Sequence, residues 1–433
     1  MHIAVLGGGL SGLSAAYDLI NKNHSVTIIE QAGECGGLAR GVRLPSWDWY
    51  VDCAYHHVFS NDKDILNFGK ETGFPDFLFF SPQTASLYEN ENNYRTFPVD
   101  TPHDFLRFPL LQMSEKIRAG IVVALLKISP HLPMYDKVTA VEFLKKTMGN
   151  RVWDIMWKEM FRKKFGKYAE KIMTAFIWSR INKRTKKLGY PEGGFQSFIN
   201  HMVQLLQDKG ASILINNSVE SVVQKGEKYE LVLKGNTETK KQSFDAVVST
   251  LPTPVLARIS KQLFSPLLID SWNKIEYLTA VNYILPSSVP VLDKTYWLNV
   301  CVEKFPMMVL VQHTNLISAK YFNNSHLLYI ANYVPNGHPL LQMGTDEAYQ
   351  YYKKALFELR PDLKVNPEQA LFFKAPFGQP IYNDIFIKNR PTMITPKKNF
   401  LIANLDLAYP FDRGTNYAVK LGRQAAKILL ASK

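Results

Sequence analysis

His2-Ile3-Ala4-Val5-Leu6-Gly7-Gly8-Gly9-Leu10-Ser11-Gly12 is the stretch whose reading decides the fold. Residues 2–6 are a short apolar run of buried-strand type, and the glycines that follow contain the spacing GxGxxG. Gly7 permits a tight turn, Gly9 lets the backbone approach a pyrophosphate, and Gly12 lets a helix pack closely on the strand. That helix is marked by Leu13, Ala16, Leu19 and Ile20 on one face, with Asn23 where a left-handed end is wanted. Its N-terminus, at Leu10 and Ser11, offers free amides and a positive dipole to an anion. The next strand, residues 25–29, ends in Glu30, followed by Gln31. A carboxylate there accepts both ribose hydroxyls, which argues against a 2′-phosphorylated nucleotide. Up to this point the unit accommodates either NAD or FAD.

The residues after Glu30 separate the two. After five intervening residues stand Gly36, Gly37, Leu38, Ala39 and Arg40. This longer fingerprint resembles that of the FAD-containing amine oxidase superfamily, which includes monoamine oxidases, protoporphyrinogen oxidase, phytoene desaturases and, more distantly, UDP-galactopyranose mutase. The resemblance implies FAD as cofactor and an α/β fold: a Rossmann-type (GR2-like) FAD-binding domain with a mixed α+β substrate domain inserted discontinuously. The expected division is 1–76, 185–276 and 372–433 for FAD, and 77–184 and 277–371 for substrate. Many members place an arginine directly after the glycine pair; this chain has Leu38 there and Arg40 two residues later.

Later segments match the same family. Tyr190-Pro191-Glu192-Gly193-Gly194-Phe195 resembles its Pro-x-Gly-Gly turn, leading into a helix at 198–209 and strand-like runs at 211–215 and around Val219. By resemblance Val219 lies against the adenine; an ordinary core valine is the other reading. Residues 244–252 match the apolar strand ending Thr-x-Pro, and 399–403 form a last apolar strand. Beyond it, Tyr409 to Asn416 opens a helix whose N-terminus, in relatives, points at the flavin pyrimidine, placing Asn416 and Tyr417 there. The family's Gly-Asp pair is represented by Asn404 and Leu405, with Asp406 one residue late.

Composition bounds what remains. The 433 residues suit two domains, and 51 Lys and Arg against 38 Asp and Glu leave a net charge of +13. The cations cluster at Lys158, Arg162, Lys163, Lys164, Lys167 and Lys171, then Arg180, Lys183, Arg184, Lys186 and Lys187. Such runs are commonly solvated helix faces; contact with a membrane or an anionic substrate is the functional reading, and no nucleic-acid module accompanies them. Cys35, Cys53 and Cys301 are odd in number and far apart, which fits a reducing cytoplasm. No metal-ligand spacing occurs, so no metal is expected. No secretory signal is read at the N-terminus, and the apolar stretch 119–126 is far short of the roughly 20 residues that span a bilayer.

The substrate half is expected to be mostly helical first, at 113–128, 138–148, 150–161 and 169–181. Strands follow around 280–284, 307–312 and 327–332, with a helix at 346–359. Phe105, Leu106, Phe108, Leu110, Leu111 and the next helix's apolar face have two readings, core packing and peripheral contact with the cytoplasmic membrane face. Tyr55-His56-His57-Val58-Phe59 resembles the His-Ile-Phe stretch beside the flavin of UDP-galactopyranose mutase, pointing to His57. Adjacent histidines face opposite ways on a strand, so one of His56 and His57 approaches the isoalloxazine while the other packs. Lys374, with Phe377, Gln379, Pro380 and Tyr382, is a further candidate, because amine oxidases often hold a lysine near flavin N5.

The leading functional reading is dehydrogenation of a hydrophobic or anionic small molecule by hydride transfer to flavin N5, as in protoporphyrinogen oxidase. The alternative is a mutase acting on a sugar nucleotide without net redox change. A third is a flavin bound for structure or partner recognition alone. The sequence leaves the number of copies in the native assembly open.

Overall fold

The computed structural model describes residues 1–90 and 93–431. His2–Leu6 lies at the centre of a five-stranded parallel sheet in the order Ser212–Leu214, Ser25–Ile29, His2–Leu6, Ala246–Ser249, Phe400–Ile402. Ile3, Ala4, Val5 and Leu6 are fully buried, as a parallel strand covered on both faces requires. One covering layer is the helix Leu10–Ile20 packed on the C-terminal helix Thr415–Ala431. The two cross at small residues. A Cβ on Gly422 would lie 2.0 Å from the Ser11 carbonyl oxygen, and the Ser14 hydroxyl donates to the Val419 carbonyl. The other face carries a three-stranded antiparallel layer, Ser218–Lys225, Lys228–Lys234 and Thr239–Phe244.

A second sheet of seven strands runs Leu371–Pro380, Tyr277–Ser287, His326–Val334, Val309–Gln312, Thr295–Val300, Gln83–Asn90, Asn93–Pro98. Its strands alternate between two cores. Leu327, Tyr329 and Ala331 face the half built on the parallel sheet, while Leu328 and Ile330 pack under the helix Thr345–Leu359. Helices Met113–Ile128, Ala140–Met148, Lys158–Phe165 and Thr174–Lys183 surround a third core containing Trp153, Phe161, Phe165, Phe176 and Trp178.

The segment 77–184 is therefore less helical than expected. It opens with a strand, Phe77–Phe80, and the hairpin Gln83–Asn90/Asn93–Pro98 that closes one side of the large sheet. The second hairpin strand is largely exposed, so no hydrophobic alternation marks it. The boundary placed at 372 also falls inside a strand. Leu371–Pro380 pairs antiparallel with Tyr277–Ser287, and the chain rejoins the parallel sheet only at Phe400. The helix expected at 150–161 is interrupted by a wide turn at Trp153–Trp157 and extends to Phe165. Among the described residues no helix is long and apolar enough to cross a membrane.

Candidate nucleotide and substrate site

At the end of the first strand Gly7 adopts φ +102°, a conformation that side-chain-bearing residues avoid. A Cβ on Gly12 would sit 2.0 Å from the Gly7 carbonyl oxygen, so the helix touches the strand end with no room for a side chain. Gly9 is different: a Cβ there would meet nothing nearer than Gly37 Cα at 3.8 Å. The two glycine turns lie edge to edge, with Gly36 N–H donating to the Gly8 carbonyl at 2.9 Å. No side chain caps the helix beginning at Leu10, so its first amides remain available to an anion.

Glu30 is held ready beside this cradle. Its Oε2 accepts from Gly8 N–H at 2.7 Å and its Oε1 from Ala32 N–H at 2.8 Å. Each carboxylate oxygen can accept a second bond, so two acceptor positions remain for ribose hydroxyls. Residues 216 and 217 run alongside, donating to the Ala32 and Glu30 carbonyls, and bring half-buried Val219 to this side of the sheet. Gln31 is exposed at the rim, and Leu38 and Ala39 form the short turn Gly37–Ala39. Arg40 follows, 3.8 Å from Glu34. A dinucleotide fits this set: an open backbone cradle for its pyrophosphate and a preoriented carboxylate for its ribose.

From the C-terminal segment the backbone, more than the named side chains, comes to the site. Ser11 donates its hydroxyl to the Ala403 carbonyl at 2.6 Å, tying the last strand to the glycine turn. The Asn404 side chain is spent on its own turn, donating to Leu251 O and Thr253 Oγ1 and accepting from Asp406 N–H; Leu405 begins the short turn Leu405–Ala408. Asp406 is buried, accepts from the hydroxyls of Thr253 and Tyr277, and is pushed up to about 6 by that burial. Asn416 accepts from Ile65 N–H and donates to Asp64, anchoring the helix Lys63–Glu71, so the expected flavin contact falls to the first-turn amides around it. Tyr417 stacks on Phe411 at 5.2 Å.

The histidine pair stands on a buried clamp. Asp52, fully buried, accepts from the Tyr190 hydroxyl at 3.0 Å, and burial pushes its carboxyl well above the ordinary range. The Tyr329 hydroxyl takes the Asp52 carbonyl at 2.6 Å. His56 bonds through Nδ1 to the Ala54 carbonyl and packs against Phe195. His57 turns the other way, among Phe59, Tyr296 and Trp297. Desolvation lowers His56 to about 4 and His57 to about 3, with the nearby arginines adding to it. Both imidazoles are thus neutral at neutral pH, and neither is a ready acid there.

His57 looks onto a group of cations, three drawn from the basic clusters of the sequence and the fourth Arg413. Lys164 lies over the rings of Tyr333 and Phe176, at 4.8 and 5.2 Å. Arg180 pairs with Asp412 at 2.6 Å and Arg184 with Asp100 at 3.7 Å. Arg413 donates to Gln379 and to the Tyr333 hydroxyl. Although burial pushes the other way, Arg180, Lys164 and Arg413 hold Asp412 below the ordinary carboxylate range. A signal for this was present: Arg180 follows Phe176 by one helical turn, and its guanidinium sits 4.7 Å from that ring. Most of those clusters face elsewhere; Lys163, for example, donates to the carbonyls of Val302, Phe305 and Met307.

Lys374 does not join the group. Its ammonium is exposed and donates to the Leu341 and Met343 carbonyls. The cause is strand alternation: Lys374 stands opposite Val281, whose side chain belongs to the core under the helix Thr345–Leu359, on the far face of the sheet. Gln379 and Tyr382, beyond a bulge in the same strand pairing, do reach the cationic group.

Comparison with known proteins agrees with this geometry. Residues 10–374 match the model of the family described as flavin containing amine oxidoreductase. The zeta-carotene desaturase of Synechocystis sp. is 23% identical over 496 aligned positions, covering 100% of this chain and 98% of that protein. Among solved structures, an oxidoreductase from Methanosarcina mazei superposes with a TM-score of 0.76 at 15% identity, covering 99% of this chain and 100% of that one. Reduced UDP-galactopyranose mutase gives 0.74 at 14% identity, covering 99% and 95%. Both are likenesses of fold.

Proposed function

This chain belongs to the flavin-containing amine oxidoreductase family, and from that premise we propose that it binds FAD across the paired glycine turns and dehydrogenates an anionic small molecule. The observation that carries the reading is the convergence of Lys164, Arg180, Arg184 and Arg413 beside His57, at the mouth of the C-terminal helix. When bound, the flavin supplies a hydride acceptor at N5. The chain's own residues do the rest. Glu30 and the amides at Leu10 to Gly12 hold the nucleotide half, and the first-turn amides of Thr415–Ala431 favour negative charge on the pyrimidine side. His57, Tyr296 and Trp297 wall the approach and exclude water, while the cations orient the substrate.

The test is spectroscopic. Purified protein releases FAD on denaturation, and anaerobic mixing with an anionic substrate bleaches the oxidised flavin. Turnover of UDP-sugars by dithionite-reduced protein alone would instead support the mutase reading, which the His57 segment beside a cationic cleft favours. The turn Arg413-Gly414-Thr415-Asn416 does not reproduce the mutase pattern, which keeps that reading second.

A peripheral contact with the cytoplasmic membrane face belongs to the same proposal. The five residues Met113, Ile117, Ile121, Leu125 and Ile128 are each more than half exposed and form one stripe of their helix, opposite its buried Lys116, Ala119 and Leu126. Phe108 and Leu111, by contrast, are core residues. Co-sedimentation with anionic vesicles is expected for the parent and at least about 10-fold weaker for Ile121→Glu/Leu125→Glu, since each buried isoleucine or leucine is worth roughly 1.5–3 kcal/mol. Equal sedimentation of the two proteins removes the contact.

A further inference from the structure

We propose that Lys164 and Arg413 form a receptor for a phosphoryl dianion carried by the substrate. The inference rests on the reading that the cleft beside His57 is where substrate meets flavin. Charge is the starting point. Four cations and two carboxylates face one another there: Arg180 is matched by Asp412 and Arg184 by Asp100. Among the described residues no carboxylate stands within ion-pair distance of Lys164 or Arg413; Asp412, the acid that both feel, is already paired with Arg180, so cationic side chains are in excess here.

Their surroundings make that costly. Lys164 has aromatic neighbours, Tyr333, Phe176 and Phe165, and two like charges, Arg180 and Arg413. Burial and these like charges push the Lys164 ammonium well below its ordinary range, so an arriving anion is what favours its charged form. Arg413 is fixed by Gln379 and Tyr333 and stacked over the Tyr333 ring at 4.8 Å, so its planar fork is oriented before any ligand enters. A rigid guanidinium and a mobile ammonium over one ring suit a tetrahedral anion of charge −2, since a single carboxylate would neutralise only one of the two. Tyr55, which hydrogen-bonds to Tyr333, adds a polar hydroxyl to the same wall.

The proposal is tested on the FAD-loaded protein by calorimetric titration with inorganic pyrophosphate, uridine diphosphate and uridine, and separately with vesicles containing phosphatidic acid. Pyrophosphate and uridine diphosphate are expected to bind while uridine does not. Lys164→Met and Arg413→Met weaken pyrophosphate about 10- to 100-fold, the worth of one charge-assisted hydrogen bond. Lys374→Met, which removes a cation from the opposite face of the sheet, binds as the parent does. Vesicle binding that depends on Lys164 assigns the phosphoryl group to a lipid, and uridine diphosphate binding without it to a soluble ester. Flavin content measured on every variant keeps the two ideas apart. Protein lacking FAD overturns the functional reading, whereas FAD-loaded protein that ignores pyrophosphate at millimolar concentration, or binds it equally well as Lys164→Met, overturns the receptor.

Discussion

Gly12→Val is expected to purify without flavin and to melt well below the parent. The Cβ alone would stand 2.0 Å from the Gly7 carbonyl oxygen and 3.2 Å from a Val5 methyl. The first of these obstacles is backbone, so no rotamer relieves it. The helix start must move off the strand end, at a cost near or above the top of the roughly 1–3 kcal/mol typical of overpacking. That displacement also pulls the amides of Leu10 and Ser11 away from the pyrophosphate. A loss of about 3 kcal/mol corresponds to roughly 100-fold in affinity. Gly9→Ala separates the two effects. Its methyl meets only ordinary contacts, the nearest at 3.8 Å, so the melting temperature of the apoprotein holds while the methyl occupies the anion's path and FAD is lost. The ratio of flavin to protein absorbance and a melting curve read both variants; a flavin-replete Gly12→Val would refute the packing argument.

Glu30→Ala is the second variant with a large expected effect, and it acts through chemistry instead of space. The ribose loses two hydrogen bonds to a charged acceptor, worth about 1.5–3 kcal/mol each, and Gly8 N–H and Ala32 N–H lose theirs. Reconstitution of apoprotein with FAD is expected to weaken by at least about 100-fold. Glu30→Gln keeps one acceptor oxygen and turns its amide toward a backbone donor, so it should fall between parent and alanine variant. Titration of apoprotein followed by flavin fluorescence checks the order. Binding of FAD by Glu30→Ala within a few-fold of the parent would remove Glu30 from the ribose.

The first strand–helix–strand unit was legible because its demands are local. Gly7, Gly9, Gly12 and Glu30 sit within one strand–helix–strand unit, where each residue type answers to a single backbone or hydrogen-bond requirement. The rings of His56 and His57 do part as expected, but not by strand alternation: the pair lies in an irregular stretch between the strands Val51–Asp52 and Val58–Phe59. The cationic group was not legible. Lys164, the pair Arg180 and Arg184, and Arg413 come from three places in the chain, and only the packing of the helices against the seven-stranded sheet brings them together. The alternation that sends Lys374 outward depends on a register with Val281 that no local pattern discloses. Asn404 and Asn416 hold the positions expected of them, yet their amides are consumed by neighbouring turns, a competition invisible without the partners Leu251, Asp406 and Ile65.

The order of the parallel sheet carries a consequence for biogenesis. Its central strand, residues 2–6, leaves the ribosome well before the strand that shields one flank, Phe400–Ile402, and the helix that roofs it, Thr415–Ala431. Until then Ala246–Ser249 presents a bare, largely apolar edge, the kind that invites pairing with another chain. Contacts of such sequence separation also form slowly. The parallel sheet is therefore completed only once Phe400–Ile402 and Thr415–Ala431 have emerged, and the nascent chain must be kept from aggregating until then.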